Sequence, residues 1–428
     1  MEKLIKRYWK WLIKNECVIA VILIFLCEFF LRFYQIDTRN PFGYDQVDNA
    51  WAAKSIVVDH QLPLIGMPAK ANSGIYVGPV YYYFLSIFYW LSNLNPIASG
   101  IAAGVTSIFT FWILFYVSRK IFSKEVALIA VFINTFVLQS IFFDRVQAPI
   151  NFIPSISLLI FYVLYKIIKG DVKKIIALAL LVGFYFNIHF TAIFFPIMII
   201  LALPFFPRTK ETIRYIFISI PLFLMWILPS TISELQRRTE YSSFSSYLET
   251  NYHGFHLRRV IQLAGDGLIQ FNMYLFNEKL YWLKFIALPL FFLMYIYKSI
   301  SREKLVLCYL MLLWFIVPWF GFATYKGEIT DYYFAISRFI ALMIISYFFA
   351  RMWMIKNIIP KVIVLGVLIY VAVTNIINFI PNQDGGVAKA EREVQQRIIE
   401  GEKIKYQQGV PETYIYYYLM RKKGINVY

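Results

Sequence analysis

The sequence is poor in the residues from which many soluble catalytic and metal sites are built. Of its 428 residues, 3 are cysteine, 4 are histidine and 16% are charged, whereas soluble domains carry about 25% charged residues. Cys17, Cys27 and Cys308 lie in or beside apolar runs and form no Cys-x-x-Cys pair. This odd, scattered set excludes a disulfide framework and a cysteine zinc site, so we expect three small core residues.

Nucleotide-binding and serine-hydrolase motifs are also absent. The chain has no Gly-x-x-x-x-Gly-Lys-Ser/Thr, no Gly-x-Gly-x-x-Gly and no Gly-x-Ser-x-Gly. Its net charge of +17 does not indicate nucleic acid, because the bases are dispersed through short loops and no recognition module is present. An outward-facing group-transfer enzyme without a nucleotide site would need a donor anchored in the bilayer, such as a sugar on a polyprenyl phosphate.

Long apolar runs are what the chain does have. It is 60% hydrophobic and 19% aromatic, and several runs reach the ~20 residues that cross ~30 Å of hydrocarbon as a helix. We therefore predict an all-α polytopic membrane protein, with a transmembrane domain over residues 1–380. The runs predict eleven crossings, at about 17–34, 97–118, 124–143, 151–168, 174–190, 191–206, 213–230, 280–298, 304–322, 334–352 and 358–380.

The distribution of charge predicts how these crossings are oriented. Basic groups such as Arg119 and Lys120, and Lys173 and Lys174, fall in alternate short loops, and most acids fall in the others. Cytoplasmic loops carry an excess of Lys and Arg, which predicts a multi-pass protein of the plasma membrane with its amino terminus inside. The basic amino terminus resembles a signal peptide, but no small-x-small cleavage site follows it, so we expect a retained anchor.

Three larger segments are predicted to face outward: residues 35–96, residues 231–279 and a tail, residues 381–428. The first holds a short helix through 50–58 and an apolar run at 80–90. A crossing at 80–90 would invert every later loop, so we predict a helix lying in the membrane interface. The tail is predicted to start with a turn at 382–386 and to continue as a polar helix over about 387–402.

Two acids, Asp45 and Asp48, follow the first predicted crossing. An ionisable group beside the bilayer is a functional-site hypothesis by default. Displacement at a sugar's anomeric carbon needs a carboxylate to take the proton of the acceptor hydroxyl. The leaving phosphate needs no second, protonated carboxyl, but it does need Arg or Lys to stabilise its charge.

Five short segments together resemble the membrane glycosyltransferases of the GT-C fold. The resemblance is strongest to the branch that holds aminoarabinose transferases and protein O-mannosyltransferases, and it runs over most of residues 17–380. The segments are Tyr44-Asp45-Gln46-Val47-Asp48, Leu62-Pro63-Leu64, residues 74–83, residues 183–192, and Gly327-Glu328-Ile329 with Tyr332-Tyr333-Phe334.

The resemblance implies a GT-C-type bundle with juxtamembrane helices in the first loop and an outward-facing cavity. It also implies inverting transfer of a sugar from a polyprenyl-phosphate donor to a hydroxyl of a lipid, glycan or protein, with Asp45 as the base. The family often has Asp-Glu where this chain has Asp45-Gln46, so Asp48 is the candidate second carboxylate. Relatives often carry an Arg followed by Trp-Asn-Pro-Asn, where this chain keeps Arg145 and Asn151 but lacks the Trp.

The other candidates fall into two groups. Those for the donor phosphate are Arg145, Lys326 and Arg338, and those for the substrate are Tyr44, Tyr81, His189 and Glu328. Each also has a structural interpretation: Asp45 as a helix cap, Arg145 as an ion-pair partner, and Tyr81 as an interfacial anchor. The sequence requires no cofactor, and a divalent metal, Mg²⁺ or Mn²⁺, is compatible with it. His253 and His256 are not predicted to bind metal.

Three other functions stay open at this point. A flippase for lipid-linked oligosaccharides would use the same charged residues, but it would be expected to show repeated halves with broken helices. An O-antigen ligase or polymerase would be expected to place its essential residues in the late loop 231–279. A non-catalytic membrane scaffold is disfavoured, weakly, by the acids at 45–48. The predicted partners are the donor, the acceptor and membrane lipid.

Overall fold

The structure is a computed structural model that describes residues 15–68, 76–236, 249–252, 254–274, 283–297, 299–381 and 385–427. Within these ranges the chain is helical and has no β-strand, which confirms the all-α prediction. The helices are α1 Glu16–Phe33, α2 Ile36–Arg39, α3 Tyr44–Val57, α4 Val80–Leu91, α5 Ala98–Ile121, α6 Lys124–Phe136, α7 Leu138–Arg145, α8 Ile153–Ile168, α9 Lys174–Phe186, α10 Phe194–Ala202, α11 Lys210–Gln236, α12 Leu257–Gly267, α13 Ile269–Tyr274, α14 Leu283–Ile296, α15 Arg302–Phe322, α16 Arg338–Trp353, α17 Ile358–Phe379, α18 Gly386–Ile399 and α19 Pro411–Lys422.

Within the described residues the predicted apolar runs lie largely on helices, but fewer than eleven of these helices have the length and composition expected of a crossing. Six helices of the described chain are long and apolar enough to span a membrane: Ala98–Ile121, Pro149–Ile168, Lys210–Ser233, Arg302–Phe322, Tyr332–Trp353 and Ile358–Phe379. The pair α6 and α7, bent by 70° at their junction, makes a seventh if it is one span. The chain is thus a multi-pass membrane protein, and the count of eleven is not confirmed.

Burial separates a central helix from peripheral ones. In an apolar 18-residue stretch of each span, 83% of the residues are buried in Tyr332–Trp353, 11% in Lys210–Ser233 and 17% in Ile358–Phe379. Lipid solvates apolar side chains as well as a protein core does, so helices α11 and α17 can leave theirs exposed on the bundle's rim. Helix α16 occupies the middle of the bundle.

A buried ionic cluster holds α1 against the bend between α6 and α7. Arg32, in the last turn of α1, donates to the carbonyl oxygens of Thr135 at 2.6 Å and Asn134 at 3.0 Å. It also pairs with Asp144 at 2.7 Å and with Glu28 at 3.1 Å. The guanidinium therefore satisfies carbonyls at the end of α6 that the bend removes from helical hydrogen bonding.

Arg145 does the same for the end of α1. Its Nη1 donates to the carbonyls of Leu31 at 2.8 Å and Arg32 at 3.0 Å, and its Nη2 donates to Tyr34 at 2.9 Å. The backbone oxygen of Arg145 in turn accepts from Asn40 Nδ2 at 2.9 Å. Arg32 of α1 thus caps the end of α6, and Arg145 of α7 caps the end of α1. These contacts hold α1 against the bend and fix where the first loop begins.

The first loop and the tail are helical too. Helix α3 starts at Tyr44, six residues before the predicted helix, and α4 is 12 residues long, or about 18 Å. That is too short to cross the hydrocarbon alone, and its placement in the interface stays a prediction. Helix α18 confirms the predicted polar helix, whereas α19 was not predicted. Most of the predicted turn, residues 382–384, lies outside the described residues.

Candidate functional site

Asp45 lies in the first turn of α3, a helix that a glutamine side chain anchors. The backbone N–H of Gly43 donates to Gln46 Oε1 at 3.0 Å, and Gln46 Nε2 donates to the carbonyl of Gln147 at 2.9 Å. One buried amide thus caps α3 and ties it to the turn after α7. The glutamine that stands where the family often has glutamate uses both its acceptor and its donor, and a carboxylate has only acceptors.

Gln147 extends this connection to two further helices. Its Nε2 donates to the hydroxyl of Tyr81 at 2.5 Å, and its Oε1 accepts from Ser99 at 3.4 Å. Tyr81 is 5% exposed. The structure therefore places this candidate substrate residue inside a network that holds α3, α4, α5 and the turn together, rather than on an open surface.

The Asp45 carboxyl itself reaches solvent, although nearby atoms partly desolvate it. In the described part of the chain it makes no hydrogen bond and no ion pair. Burial first, and then the negative charge of Asp48, raise the pKa of the Asp45 carboxyl. Burial followed by the charges of Asp48 and Asp45 raises the pKa of Tyr82 to about 12, so these three side chains form one cluster. A carboxylate with a raised pKa and open lone pairs is suited to accept a proton.

Asp48 is held by the tail. Its Oδ2 accepts from Gln408 Nε2 at 2.8 Å, and its Oδ1 accepts from the backbone N–H of Gly409 at 3.1 Å. Gly409 has a φ of 70° and packs so closely on Tyr44 that a Cβ would overlap the ring. Both oxygens of Asp48 are thus engaged, which gives this carboxylate an anchoring position. The ring of Tyr44, another candidate substrate residue, covers the contact and is 58% exposed.

An aromatic cluster continues the contact between α3 and the tail. The Trp51 ring lies 5.3 Å from Tyr406, 5.2 Å from Tyr414 and 5.2 Å from Tyr417, measured between centroids. The Tyr414 hydroxyl donates to the carbonyl of Leu94 at 3.2 Å. Sequence analysis missed this cluster, although the run of tyrosines at 414–418 was visible as an unusual aromatic stretch. The tail is therefore part of the framework around Asp45.

Three of the segments that carry the family resemblance meet at a second place. Gly78 packs so closely on Asn187 that a Cβ would overlap the amide oxygen. Two residues later, His189 Nδ1 lies 2.9 Å from Thr191 Oγ1, and its ring lies 5.8 Å from that of Tyr332. His189 is 7% exposed, so its side chain joins these segments from inside the bundle.

The three phosphate candidates have different surroundings. Arg145 is 1% exposed and caps α1, as described above. Arg338 is also 1% exposed; its Nη2 donates to Ser140 Oγ at 2.8 Å and its guanidinium lies 4.4 Å from the Phe143 ring centroid. Lys326 is exposed, on a loop whose backbone bonds to Asn251. Among these cations only Lys326 presents its charge to solvent, and the buried arginines hold helices together.

The remaining candidates add no metal site. Glu328 is exposed on the same loop as Lys326. Within the described ranges, no three His, Cys, Asp or Glu side chains are grouped as metal ligands would be, and His253 lies outside those ranges. The compatibility of the chain with Mg²⁺ or Mn²⁺ therefore stays a prediction.

An apolar groove of about 320 Å³ opens between α1, α6 and α17. Its lining includes Leu31 and Tyr34, at the end of α1, and Phe379, at the end of α17. The Arg39 guanidinium lies over the rings of Tyr34 and Phe379, 5.3 Å and 5.1 Å from their centroids. An acyl or isoprenoid chain in this groove would have a positive charge at the end nearest the first loop.

Residues 76–232, a little over a third of the chain, match the sequence profile described as dolichyl-phosphate-mannose-protein mannosyltransferase. The comparison with curated protein sequences found no match to this chain.

Solved structures show the fold more completely. ArnT from Cupriavidus metallidurans, solved bound to undecaprenyl phosphate, aligns with a TM-score of 0.54 at 10% identity, over 95% of this chain and 76% of that one. The oligosaccharyltransferase AglB from Archaeoglobus fulgidus, solved with an inhibitory peptide and a dolichol-phosphate, aligns with a TM-score of 0.56 at 12% identity, over 96% of this chain and 60% of that one. These alignments confirm the resemblance found in the sequence: the chain has the fold of the GT-C membrane glycosyltransferases.

Proposed function

We propose that the chain is a membrane glycosyltransferase that moves a sugar from a polyprenyl-phosphate donor to an acceptor hydroxyl at the outer face of the plasma membrane. The observation that carries the proposal is Asp45, a carboxylate with open lone pairs and a raised pKa on a firmly anchored helix of a GT-C fold. The mannosyltransferase profile over 76–232 supports the same reaction class.

The reaction is a single displacement with inversion. The acceptor oxygen attacks the anomeric carbon and forms the new glycosidic bond, while the bond from that carbon to the phosphate oxygen breaks. The hydroxyl proton goes to Asp45 and from there to water. The bonding electrons leave with the polyprenyl phosphate, whose growing charge needs a cation. Lys326 is the candidate cation that is exposed, and Arg145 and Arg338 act through the framework.

The lipid-linked donor is supported by the groove between α1 and α17. Its apolar lining ends near Arg39, which is six residues before Asp45 in the sequence. An isoprenoid lying there would bring its phosphate toward the Asp45 helix. ArnT and AglB were solved with undecaprenyl phosphate and dolichol-phosphate, which agrees with a donor of this class.

The test is Asp45→Asn, assayed for sugar transfer in membranes that contain the folded protein. Loss of a general base lowers the rate by about 10²–10⁴-fold, and we expect a loss in that range. Asp59→Asn is the matched control, because Asp59 is an acid of the same loop that pairs with Lys54 at 2.9 Å; its activity should be close to that of the unmodified chain. Undiminished transfer by Asp45→Asn would refute the proposal.

A further inference from the structure

A second hollow lies far from the first loop. Its volume is about 650 Å³, and it is formed where the end of α8, the segment after α10 and the first turn of α15 meet. Pro149–Ile168 is a continuous helical span of 20 residues, which corresponds to about 30 Å. One end of that span follows the turn that binds the first loop, and the other end lines this hollow. The hollow is therefore about one membrane thickness from the Asp45 helix.

The charges around the hollow are unbalanced. Lys169, Arg208 and Arg302 line it together with one acid, Glu303. Glu303 is already engaged, since it pairs with Lys169 at 2.7 Å and accepts from the Tyr165 hydroxyl at 2.7 Å. In the described part of the chain, Arg208 and Arg302 make no hydrogen bond and no ion pair. Two guanidinium groups thus face one cavity whose single acid, Glu303, is paired with Lys169.

The rest of the lining is apolar. Phe205, Phe206 and Val306 form part of the wall. Leu201 and Leu203, which precede them on α10 and its continuation, are 41% and 43% exposed. Exposed leucines on a membrane helix face acyl chains. A ligand seated between the arginines would therefore have a lipid-facing surface next to it, which a small soluble ion would not use.

We propose that this hollow binds the headgroup of an anionic phospholipid in the leaflet opposite the Asp45 site. Guanidinium groups bind phosphate oxygens in pairs of parallel hydrogen bonds, and basic pockets between membrane helices on the cytoplasmic side bind anionic headgroups. Arg208 and Arg302 contact the phosphodiester, and the acyl chains lie against Leu201 and Leu203. The bound lipid joins α8, α10 and α15 and stabilises the folded chain. This site is independent of the proposed transferase activity.

The experiment uses the full chain, purified in a neutral detergent. Its thermal unfolding midpoint is measured with added dioleoylphosphatidylglycerol, with dioleoylphosphatidylcholine and with inorganic phosphate, and native mass spectrometry counts the bound lipids. We expect phosphatidylglycerol alone to raise the midpoint and to remain bound. In the double variant Arg208→Gln/Arg302→Gln the affinity for phosphatidylglycerol should fall at least about tenfold, as expected for losing charge-assisted hydrogen bonds.

The control is the double variant Lys120→Gln/Lys356→Gln, which removes the same charge from two other predicted inner loops and should keep the lipid response. An equal loss in the control would overturn the site, because the response would then depend on net charge. An equal shift with phosphatidylcholine would overturn it as well. An equal shift with inorganic phosphate would overturn the assignment to a lipid, because a small anion would then account for the whole response. If the arginine variant does not fold, the three ligands compared on the unmodified chain still decide the outcome.

Discussion

At the scale of single residues, Gln46 shows how this chain departs from the pattern it resembles. Its amide oxygen accepts from Gly43 and its amide nitrogen donates to the carbonyl of Gln147. The usual glutamate could do only the first. The glutamine therefore fits the hydrogen bonding around it, and replacing it with the family's glutamate should lower stability and activity.

We predict that Gln46→Glu lowers both the thermal unfolding midpoint and the transfer rate. The carboxylate would face the Gln147 carbonyl without a proton to donate, at a cost of about 1–3 kcal/mol for the unsatisfied buried group. Gln61→Glu, at an exposed position of the same loop, introduces the same charge and should change neither quantity. A Gln46→Glu protein as stable and active as the unmodified chain would contradict this account of α3.

In the proposed mechanism Asp45 is the general base, and the charge of Asp48 contributes to the pH range in which that base is ionised. A general base must be ionised, so the rate falls as the pH drops through the pKa of Asp45. Because burial and the charge of Asp48 raise that pKa, we predict that Asp48→Asn shifts the acid limb of the pH–rate profile to lower pH. The measurement is kcat/KM against pH, with Asp59→Asn as the control whose limb should stay in place. A limb that moves upward, or not at all, would be the wrong outcome; Tyr82, the other titratable group in this cluster, titrates too high to affect it.

Part of this site was predictable from the sequence, and the reason is local. Asp45 and Asp48 follow an apolar run directly, so their position beside the membrane could be inferred from chain order alone. The hydrogen-bond partners that anchor Asp48 and the Asp45 helix could not be inferred in this way. Gln408 is 360 residues from Asp48, and Gln147 is 101 residues from Gln46. Contacts over such distances leave no trace in local composition.

At the scale of secondary-structure elements, the two capping arginines connect α1 and α7. Arg145 distributes its guanidinium over the carbonyls at the end of α1, and Arg32 does so at the end of α6. The sequence suggested a phosphate ligand at Arg145, and the geometry gives its donors to the backbone instead. A planar fork can serve several carbonyls at once, which a lysine ammonium cannot do in the same way.

We predict that Arg145→Lys lowers the unfolding midpoint, by the equivalent of about 1–3 kcal/mol for the lost buried hydrogen bonds. Arg392→Lys, the same exchange at an exposed position of α18, should leave the midpoint nearly unchanged. Kinetics separate the two interpretations: a phosphate ligand would raise the KM for the donor at an unchanged midpoint. That result would restore the role suggested by the sequence.

Helices that form because a long run of residues is apolar were predicted correctly. Bends and helices that depend on packing against distant parts of the chain were not. The run predicted as one crossing at 124–143 is bent by 70° between α6 and α7, because Arg32 and Asp144 stabilise the interrupted backbone. Helix α19 was missed because its residues are neither apolar enough nor periodic enough to be distinctive. Its tyrosines become buried only against Trp51 and Leu94.

At the scale of the whole molecule, the orientation in the membrane is the prediction that most needs a direct test. In a chain whose three native cysteines are replaced by alanine, single cysteines are placed at Gln407 in the tail and at Lys174, both exposed. We expect a membrane-impermeant maleimide to label Gln407→Cys in intact cells, and Lys174→Cys only after permeabilisation, as the positive-inside rule requires. The reverse pattern would place Asp45 in the cytoplasm and exclude an outer-face reaction.

The GT-C architecture itself could be predicted because five short segments, spread from 44 to 334, are brought together by one bundle. Gly78, Asn187 and Tyr332 are examples, since close packing joins the first two and a ring contact connects the third through His189. The number of crossings stays a prediction, because an apolar run of sufficient composition need not be straight or long enough to span. How far an apolar run extends in the folded chain depends on where it bends, and each bend depends on contacts with other parts of the chain.

The hydrogen bonds that Gln408 and Gly409 donate to Asp48 have a consequence for biosynthesis. Ribosomes add about 5–20 residues per second, so the 360 residues that separate Asp48 from Gln408 take tens of seconds to make. Throughout that interval the nascent chain contains α3 without the hydrogen bonds from the tail. The framework around Asp45 is therefore completed late in translation, when the tail emerges and docks on α3.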